Sequence, residues 1–214
     1  MSAEKINAAK KALEYIKDNM TVAIGSGTTA YEFIKLLAER VKDGLNVICT
    51  STSFDSTILA RKMGIKVQSF DSLDKIDIAI DGADVASNTG LLKGGGGACT
   101  IEKLIDYSAE KFLVIVDEKK VKDKLIGTVV IEVLPIAYKS VMKNFKNPVL
   151  RVAKKKLGPV ITDNGNFLLD VNMTVEDPEK MEKDINNIPG VVENGIFTKF
   201  DDIIVGTKDS AAIL

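Results

Sequence analysis

Apolar residues recur along this chain in two rhythms. At the start Ile6, Ala9, Leu13, Ile16 and Met20 alternate spacings of three and four, which places them on one face of an opening helix. The short run TVAI at 21–24 leads into Gly25-Ser26-Gly27-Thr28-Thr29, after which Ala30, Phe33, Ile34, Leu37 and Val41 repeat the helical stripe. Strand, glycine turn and helix are the elements this predicts. The alternation continues through NVICTS, the helix-like SFDSTILARKMG, the short strand IKVQSF and the strand KIDIAID. After a second glycine loop come a helix from about Cys99 and the strand FLVIV at 112–116. Such a series predicts a parallel sheet flanked by helices, with ligands at the carboxyl ends of its strands.

From about residue 129 the order changes to VVIEV (strand), AYKSVMKNF (helix), PVLRVA (strand), NFLLDVN (strand), PEKMEKDINN (helix) and VVENGIF (strand). This is the βαββαβ order of a ferredoxin-like α+β unit. Asp163-Asn164-Gly165-Asn166 fits a hairpin connection between its middle strands, and Pro189-Gly190 closes its second helix. The last strand, DIIVGT, returns to the first sheet. The expected fold is α/β: a Rossmann-like parallel-sheet domain of residues 1–128 plus 201–214, with a smaller ferredoxin-like domain, residues 129–200, inserted in it.

A chain of 214 residues can bury a core that is stable without a disulfide or metal staple. With 29 lysines and arginines against 30 aspartates and glutamates, it has no general attraction to nucleic acid or anionic lipid. An anion must be bound locally, and Lys154-Lys155-Lys156 reads as a solvated turn. No apolar stretch is long enough to span a bilayer and the N-terminus has no signal-like core, so a cytoplasmic location is expected. Cys49 and Cys99 form no metal-ligand spacing. Histidine is absent, so acid and base work falls to carboxylates, lysines, tyrosines or cysteines.

Gly25 to Ala30 lies between a strand and a helix, where backbone N–H groups and the positive helix end can receive a phosphate. Its GxGxxA form also fits a dinucleotide fold, but such a site wants an acid at the end of the second strand, about 20 residues on. Cys49-Thr50-Ser51-Thr52-Ser53 stands there instead, which favours a simple phosphate ester. Asp81-Gly82-Ala83-Asp84 follows an apolar strand and reads alone as a turn, or as a pair of acids at the ligand edge. Lys93 precedes Gly94, Gly95, Gly96 and Gly97, four residues whose ordering costs entropy and packs nothing. A flexible linker is one account; amides approaching an anionic oxygen is the other. Glu102, in the first turns of the next helix, reads alone as a dipole partner. Together these residues suit proton transfer between adjacent carbons of a hydroxy-aldehyde: a carboxylate base, donors for the enediolate oxygen, and an aspartate to move a proton between oxygens or open a sugar ring. That chemistry requires no cofactor and no metal.

GSGTT, DGAD, KGGGGACTIEK, DEKK and, later, TDNGN, FLLDV and IPGVVENGIF together resemble the type A ribose-5-phosphate isomerases over nearly the whole chain. The resemblance implies interconversion of ribose 5-phosphate and ribulose 5-phosphate, a Rossmann-like domain with a ferredoxin-like one, and a homodimer or homotetramer. It puts the family's proton-transferring glutamate on Glu102, its catalytic aspartate and lysine on Asp81 and Lys93, and its second acid on Asp84. Its substrate loops fall on Ser26, Gly27, Thr28 and Thr29, on Asp81, Gly82, Ala83 and Asp84, and on Lys93, Gly94, Gly95 and Gly96. Lys120 and Lys5 match lysines on the phosphate side. Cys99 stands where the family pattern has a small or apolar residue. Two other readings keep the scaffold: a non-catalytic sugar-phosphate sensor, and a CoA transferase of related fold.

Overall fold

A computed structural model describes residues 2–214. In chain order the elements begin α1 (Ala3–Leu13), β1 (Thr21–Ile24), α2 (Gly27–Lys42), β2 (Ile48–Ser51), α3 (Phe54–Lys62) and β3 (Ile78–Asp81). A hairpin of β4 (Val85–Ser87) and β5 (Gly90–Leu92) precedes α4 (Cys99–Asp106), β6 (Phe112–Asp117) and β7 (Leu125–Val133). Then come α5 (Tyr138–Met142), β8 (Val149–Leu150), β9 (Phe167–Val175), α6 (Pro178–Asn186), β10 (Val191–Asn194), β11 (Ile196–Phe197), β12 (Asp202–Gly206) and β13 (Ala211–Ile213). The chain divides into two compact units.

The first unit takes the chain up to Ala83, Ile101–Val121 and Lys199–Leu214. Its six strands lie in the order β13-β12-β6-β3-β1-β2, all parallel except the antiparallel edge strand β13. The central strands read as continuous apolar runs because both faces are covered: every residue of β3 and β6 is buried. Helix α2 turns Ala30, Phe33, Ile34, Leu37 and Ala38 inward. On α1 the buried stripe is Ala8, Ala9 and Ala12. Small residues suit it because its backbone lies close against β12: a Cβ on Gly206 would overlap the carbonyl oxygen of Glu4. The chain leaves β1 for β2 on one side and β3 on the other, so the strand order reverses beside β1. In open α/β sheets the crevice at the carboxyl ends of such strands is where ligands bind.

The second unit, Asp84–Thr100 and Lys122–Thr198, has a fully antiparallel sheet in the order β10-β7-β9-β8. This is the strand order of a ferredoxin-like fold. β7 and β9 pair over nine residues, from Leu125 opposite Val175 to Val133 opposite Phe167. A three-stranded sheet, β11-β5-β4, completes the unit.

Several details depart from the sequence reading. The first helix ends at Leu13, so Ile16, though buried, and Met20 lie beyond it. IKVQSF contributes one bridge, Cys49 to Val67, in place of a strand. PVLRVA keeps two strand residues before the chain folds back with Val152 opposite Pro159. Residues 84–100 and 122–128 group with the ferredoxin-like unit, since β5 pairs with β11 and β7 runs from Leu125. Among the described residues no helix is long and apolar enough to cross a membrane.

At the amino end of the parallel sheet Asp77 ties β1 to β3. Its Oδ2 accepts the Thr21 N–H at 2.7 Å and its Oδ1 lies 2.5 Å from Lys75 Nζ. The Lys75 hydrogen bond and then the Thr21 N–H hold the carboxyl below the usual aspartate value of 3.8. A depressed folded value stabilises the protein above the unfolded value, and that stability is lost as pH falls through the folded one. Asp77→Asn is therefore expected to lower stability at neutral pH. Its deficit against the native chain should shrink below about pH 4, as read by urea denaturation across the acid range.

Candidate active site

In the first unit the glycine turn after β1 is fixed from three directions. The Gly25 N–H donates to Ile80 O at 2.9 Å, the Ser26 N–H to Asp81 Oδ1 at 3.0 Å, and Ser56 Oγ to Gly25 O at 2.7 Å. Asp81, with no exposed surface, also accepts the Gly82 N–H on Oδ1 at 2.6 Å. Gly25 is obligatory because a Cβ there would overlap the Asp81 carboxylate. Gly27 opens α2 at φ +82°, a left-handed conformation that favours glycine.

Ser26 sits at the N-cap of α2 without capping it through its side chain. Its Oγ donates instead to Glu102 Oε1 at 2.7 Å. This has two effects. The first amides of α2 remain available to an anion at the positive end of a sixteen-residue helix. Glu102, 4 % exposed, is held in α4 by a hydroxyl at the switch point. Lys5 Nζ donates to Thr28 Oγ1 at 2.8 Å, which brings a cation to the loop, and Lys120 Nζ donates to the Ala83 carbonyl at 2.5 Å. Gly27 and Thr28 are exposed while Thr29 is buried.

The second unit holds the remaining expected residues. The Asp84 N–H donates to Leu92 O, and the exposed Asp84 carboxylate accepts the Gly95 N–H at 2.8 Å. Lys93 is 2 % exposed; its N–H donates to Gly195 O at 2.8 Å and its ammonium stands 5.3 Å from the Phe197 ring centroid. Gly94, at φ +92°, has no room for a Cβ against Cys99 and Val130, and the Gly97 N–H closes a turn on Gly94 O. The tetraglycine segment is thus an ordered loop, with Gly95 and Gly96 exposed. Cys99 is buried, as is Cys49, whose thiol burial pushes up to about 12.

Glu132 escaped the sequence reading. It stands in the apolar strand VVIEV, yet is fully buried and accepts from Thr100 Oγ1 at 2.5 Å, Thr162 Oγ1 at 2.8 Å, Asn164 Nδ2 at 3.0 Å and Asn166 Nδ2 at 2.9 Å. One buried carboxylate therefore fixes the TDNGN turn and Thr100, two residues before Glu102 in α4. A lone acid in an apolar strand was the available signal, since a buried charge needs partners. Among the described residues no group of three or more cysteine, aspartate and glutamate side chains is arranged to hold a metal ion.

The family model for ribose 5-phosphate isomerase A (phosphoriboisomerase A) matches residues 48–210. A second model, the DeoR C terminal sensor domain, matches residues 1–72. Ribose-5-phosphate isomerase A of Methanococcus aeolicus is 50 % identical over 98 % of this chain and 94 % of its own length. The solved ribose 5-phosphate isomerase A of Methanocaldococcus jannaschii is 45 % identical with a TM-score of 0.95, covering 98 % of this chain and 97 % of that one. A D-ribose-5-phosphate isomerase in complex with phospho-erythronic acid is 44 % identical with a TM-score of 0.94, covering 99 % and 97 %.

The packing around Gly25 and Gly82 generates a paired expectation. Gly25→Ala should destabilise the chain by about 1–3 kcal/mol through overpacking on Asp81. Gly82→Ala, where a Cβ meets nothing nearer than 3.7 Å, should leave stability close to native. Urea midpoints of the two variants check the contrast.

Proposed function

The chain belongs to the ribose 5-phosphate isomerase A family, and from that membership we propose how its own residues divide the work of aldose-ketose isomerisation. It is an isomerase that interconverts ribose 5-phosphate and ribulose 5-phosphate. The observation that carries the mechanistic reading is the Ser26–Glu102 hydrogen bond, because it joins a carboxylate to the loop best suited to the phosphate ester.

In this reading the phosphate lies on the amides at the start of α2, with Thr28 and Thr29 as further donors and with Lys5 and Lys120 supplying positive charge. Glu102 takes the proton from C2 of the open-chain aldose. The electron pair left behind forms the C1–C2 double bond, and the former carbonyl oxygen becomes the enediolate anion. Lys93 and the glycine-loop N–H groups receive that charge, and such donors matter most when already aimed before the charge develops. Glu102 returns the proton to C1, while the O2 proton moves to O1 and leaves the C2 ketone. Asp81 and Asp84 divide the oxygen side. Asp81 is committed to two backbone N–H groups through Oδ1 and chiefly holds the loop, whereas the exposed Asp84 is the freer acid for proton movement or ring opening. The pentose phosphate is the partner; homo-oligomer formation and a cytoplasmic location belong to the same proposal.

A sensor reading draws on the DeoR-type match over residues 1–72. Against it stands the buried glutamate, which ligand recognition alone does not need. Glu102→Gln should keep the fold and bind pentose phosphate, but lose at least about 10³-fold in kcat, with no solvent hydrogen entering the carbons beside the carbonyl. Turnover near the native rate in that variant would refute the assignment. Binding without turnover in the native chain would establish a sensor. Lys93→Ala should lower kcat and raise KM together, measured by ketose formation.

A further inference from the structure

Amide orientation in the tetraglycine loop traces to a side chain outside the roles assigned so far. Arg151 directly follows β8, and Asp170 of β9 grips its guanidinium. Nε lies 3.1 Å from Oδ1 and 2.9 Å from Oδ2, and Nη2 reaches Oδ1 at 2.5 Å. With that edge occupied, Nη1 donates to the carbonyl oxygens of Gly94 at 3.3 Å and Gly95 at 3.1 Å. The two side chains keep only 18 % and 26 % of their surface exposed. The Arg151 backbone is fixed as well, donating to Leu168 O and accepting from the Val160 N–H.

A trans peptide is planar, with its C=O and N–H directed oppositely. The peptide joining Gly94 to Gly95 turns its oxygen to Arg151 and its N–H to the Asp84 carboxylate. The peptide joining Gly95 to Gly96 turns its oxygen to the same Nη1. Its N–H, that of Gly96, is therefore directed away from Arg151. Gly95 and Gly96 are exposed, so their peptides are open to a ligand. A planar guanidinium can hold a carboxylate on one edge and two carbonyls on another at fixed angles; a lysine ammonium has no such fork.

We infer that Arg151, held by Asp170, is a positioning residue for the isomerisation: it fixes the Gly94 and Gly95 carbonyls so that the Gly96 N–H is presented to the enediolate oxygen. The inference rests on the glycine loop's role as an oxyanion donor. Without the clamp a glycine peptide has little to stop it from rotating, and a rotated one would present a carbonyl lone pair to the developing negative charge.

The test uses the full chain with Arg151→Lys, Arg151→Ala and Asp170→Asn. Each variant is assayed for kcat and KM with ribose 5-phosphate and for inhibition by phospho-erythronic acid, whose carboxylate stands in for the enediolate oxygens. Inorganic phosphate is titrated as a ligand that does not engage the loop. The expected result is a fall in kcat of about tenfold or more, with KM within about threefold, as for an interaction made mainly in the transition state. Affinity for phospho-erythronic acid should fall by about the same factor as kcat/KM while phosphate affinity holds. Arg151→Lys should resemble Arg151→Ala, since charge without the fork does not hold both carbonyls. A kcat within about twofold of native in folded Arg151→Lys would overturn the inference. So would a parallel loss of phosphate and phospho-erythronic acid binding, the mark of general damage. Circular dichroism selects the folded variants, and if the alanine chain does not fold, the lysine and asparagine variants decide. Failure of the Glu102 assignment is read separately, from solvent exchange in Glu102→Gln on an intact Arg151.

Discussion

One buried carboxylate oxygen holds the ligand edge of the parallel sheet together. Asp81 Oδ1 accepts the N–H of Ser26 from the turn after β1 and the N–H of Gly82 from the turn after β3. Charge-assisted bonds of this kind contribute about 1.5–3 kcal/mol each, and removing the acceptor would leave amides unsatisfied at the edge of the core. From that junction the rest follows. Gly25 must lack a side chain because Asp81 fills the space; Ser26 is then placed to donate to Glu102; and α2 begins where its first amides can meet an anion. Ser56, at the start of α3, completes the edge by holding the Gly25 carbonyl.

The ferredoxin-like unit solves a different problem, that of ordering four consecutive glycines. Fixing a backbone costs roughly 1–2 kcal/mol per residue, and glycine loses the most. Here Lys93 is hydrogen-bonded to Gly195, Gly95 to Asp84, Gly97 to Gly94, and two carbonyls to Arg151. Close packing narrows the choice further: Gly94 faces Cys99 and Val130, and Gly195 has no room beside the Lys93 carbonyl. A segment so secured is no linker. Its lack of side chains leaves the backbone accessible, and its amides have fixed directions.

Much of this was legible in the sequence wherever the cause is local. Strand, glycine turn and helix at 21–42 announce themselves through apolar spacing and two glycines, and the βαββαβ order of the second unit through its alternating periods. Sequence is a weaker guide where the cause lies far along the chain. PVLRVA has the composition of a strand but gives β8 only two residues, because the chain turns back at Val152 to meet Pro159. Residues 84–100 sit within the first unit's span yet pair with β11, a partner about a hundred residues away. Arg151 is silent for the same reason, and Glu132 shows only as an acid in an apolar strand, without its partners. Their partners lie 30 to 34 residues off for Glu132's threonine and asparagines beyond β7, and 56 and 57 residues off for Arg151's glycine carbonyls.

The contrast between the two aspartates of DGAD shows how identical side chains three positions apart acquire different work. Asp81 ends a fully buried strand, where a charge needs polar partners; the Ser26 and Gly82 amides are among them, and those bonds restrict its movement. Asp84 begins the next segment at the surface, with one oxygen on the Gly95 N–H and access to water. Gly82 and Ala83 are what separate the environments: they carry the chain from sheet interior to surface in two residues, with the Ala83 carbonyl held by Lys120. If the two carried the proposed roles in exchange, Asp81 would have to be a buried proton carrier that also serves as a structural anchor. Each proton it accepted would weaken the bonds that place Ser26, and with them the hydroxyl that holds Glu102. Under the proposed division of roles, separating anchor from acid would let Asp84 carry protons while Asp81 keeps Ser26, and through it Glu102, in place.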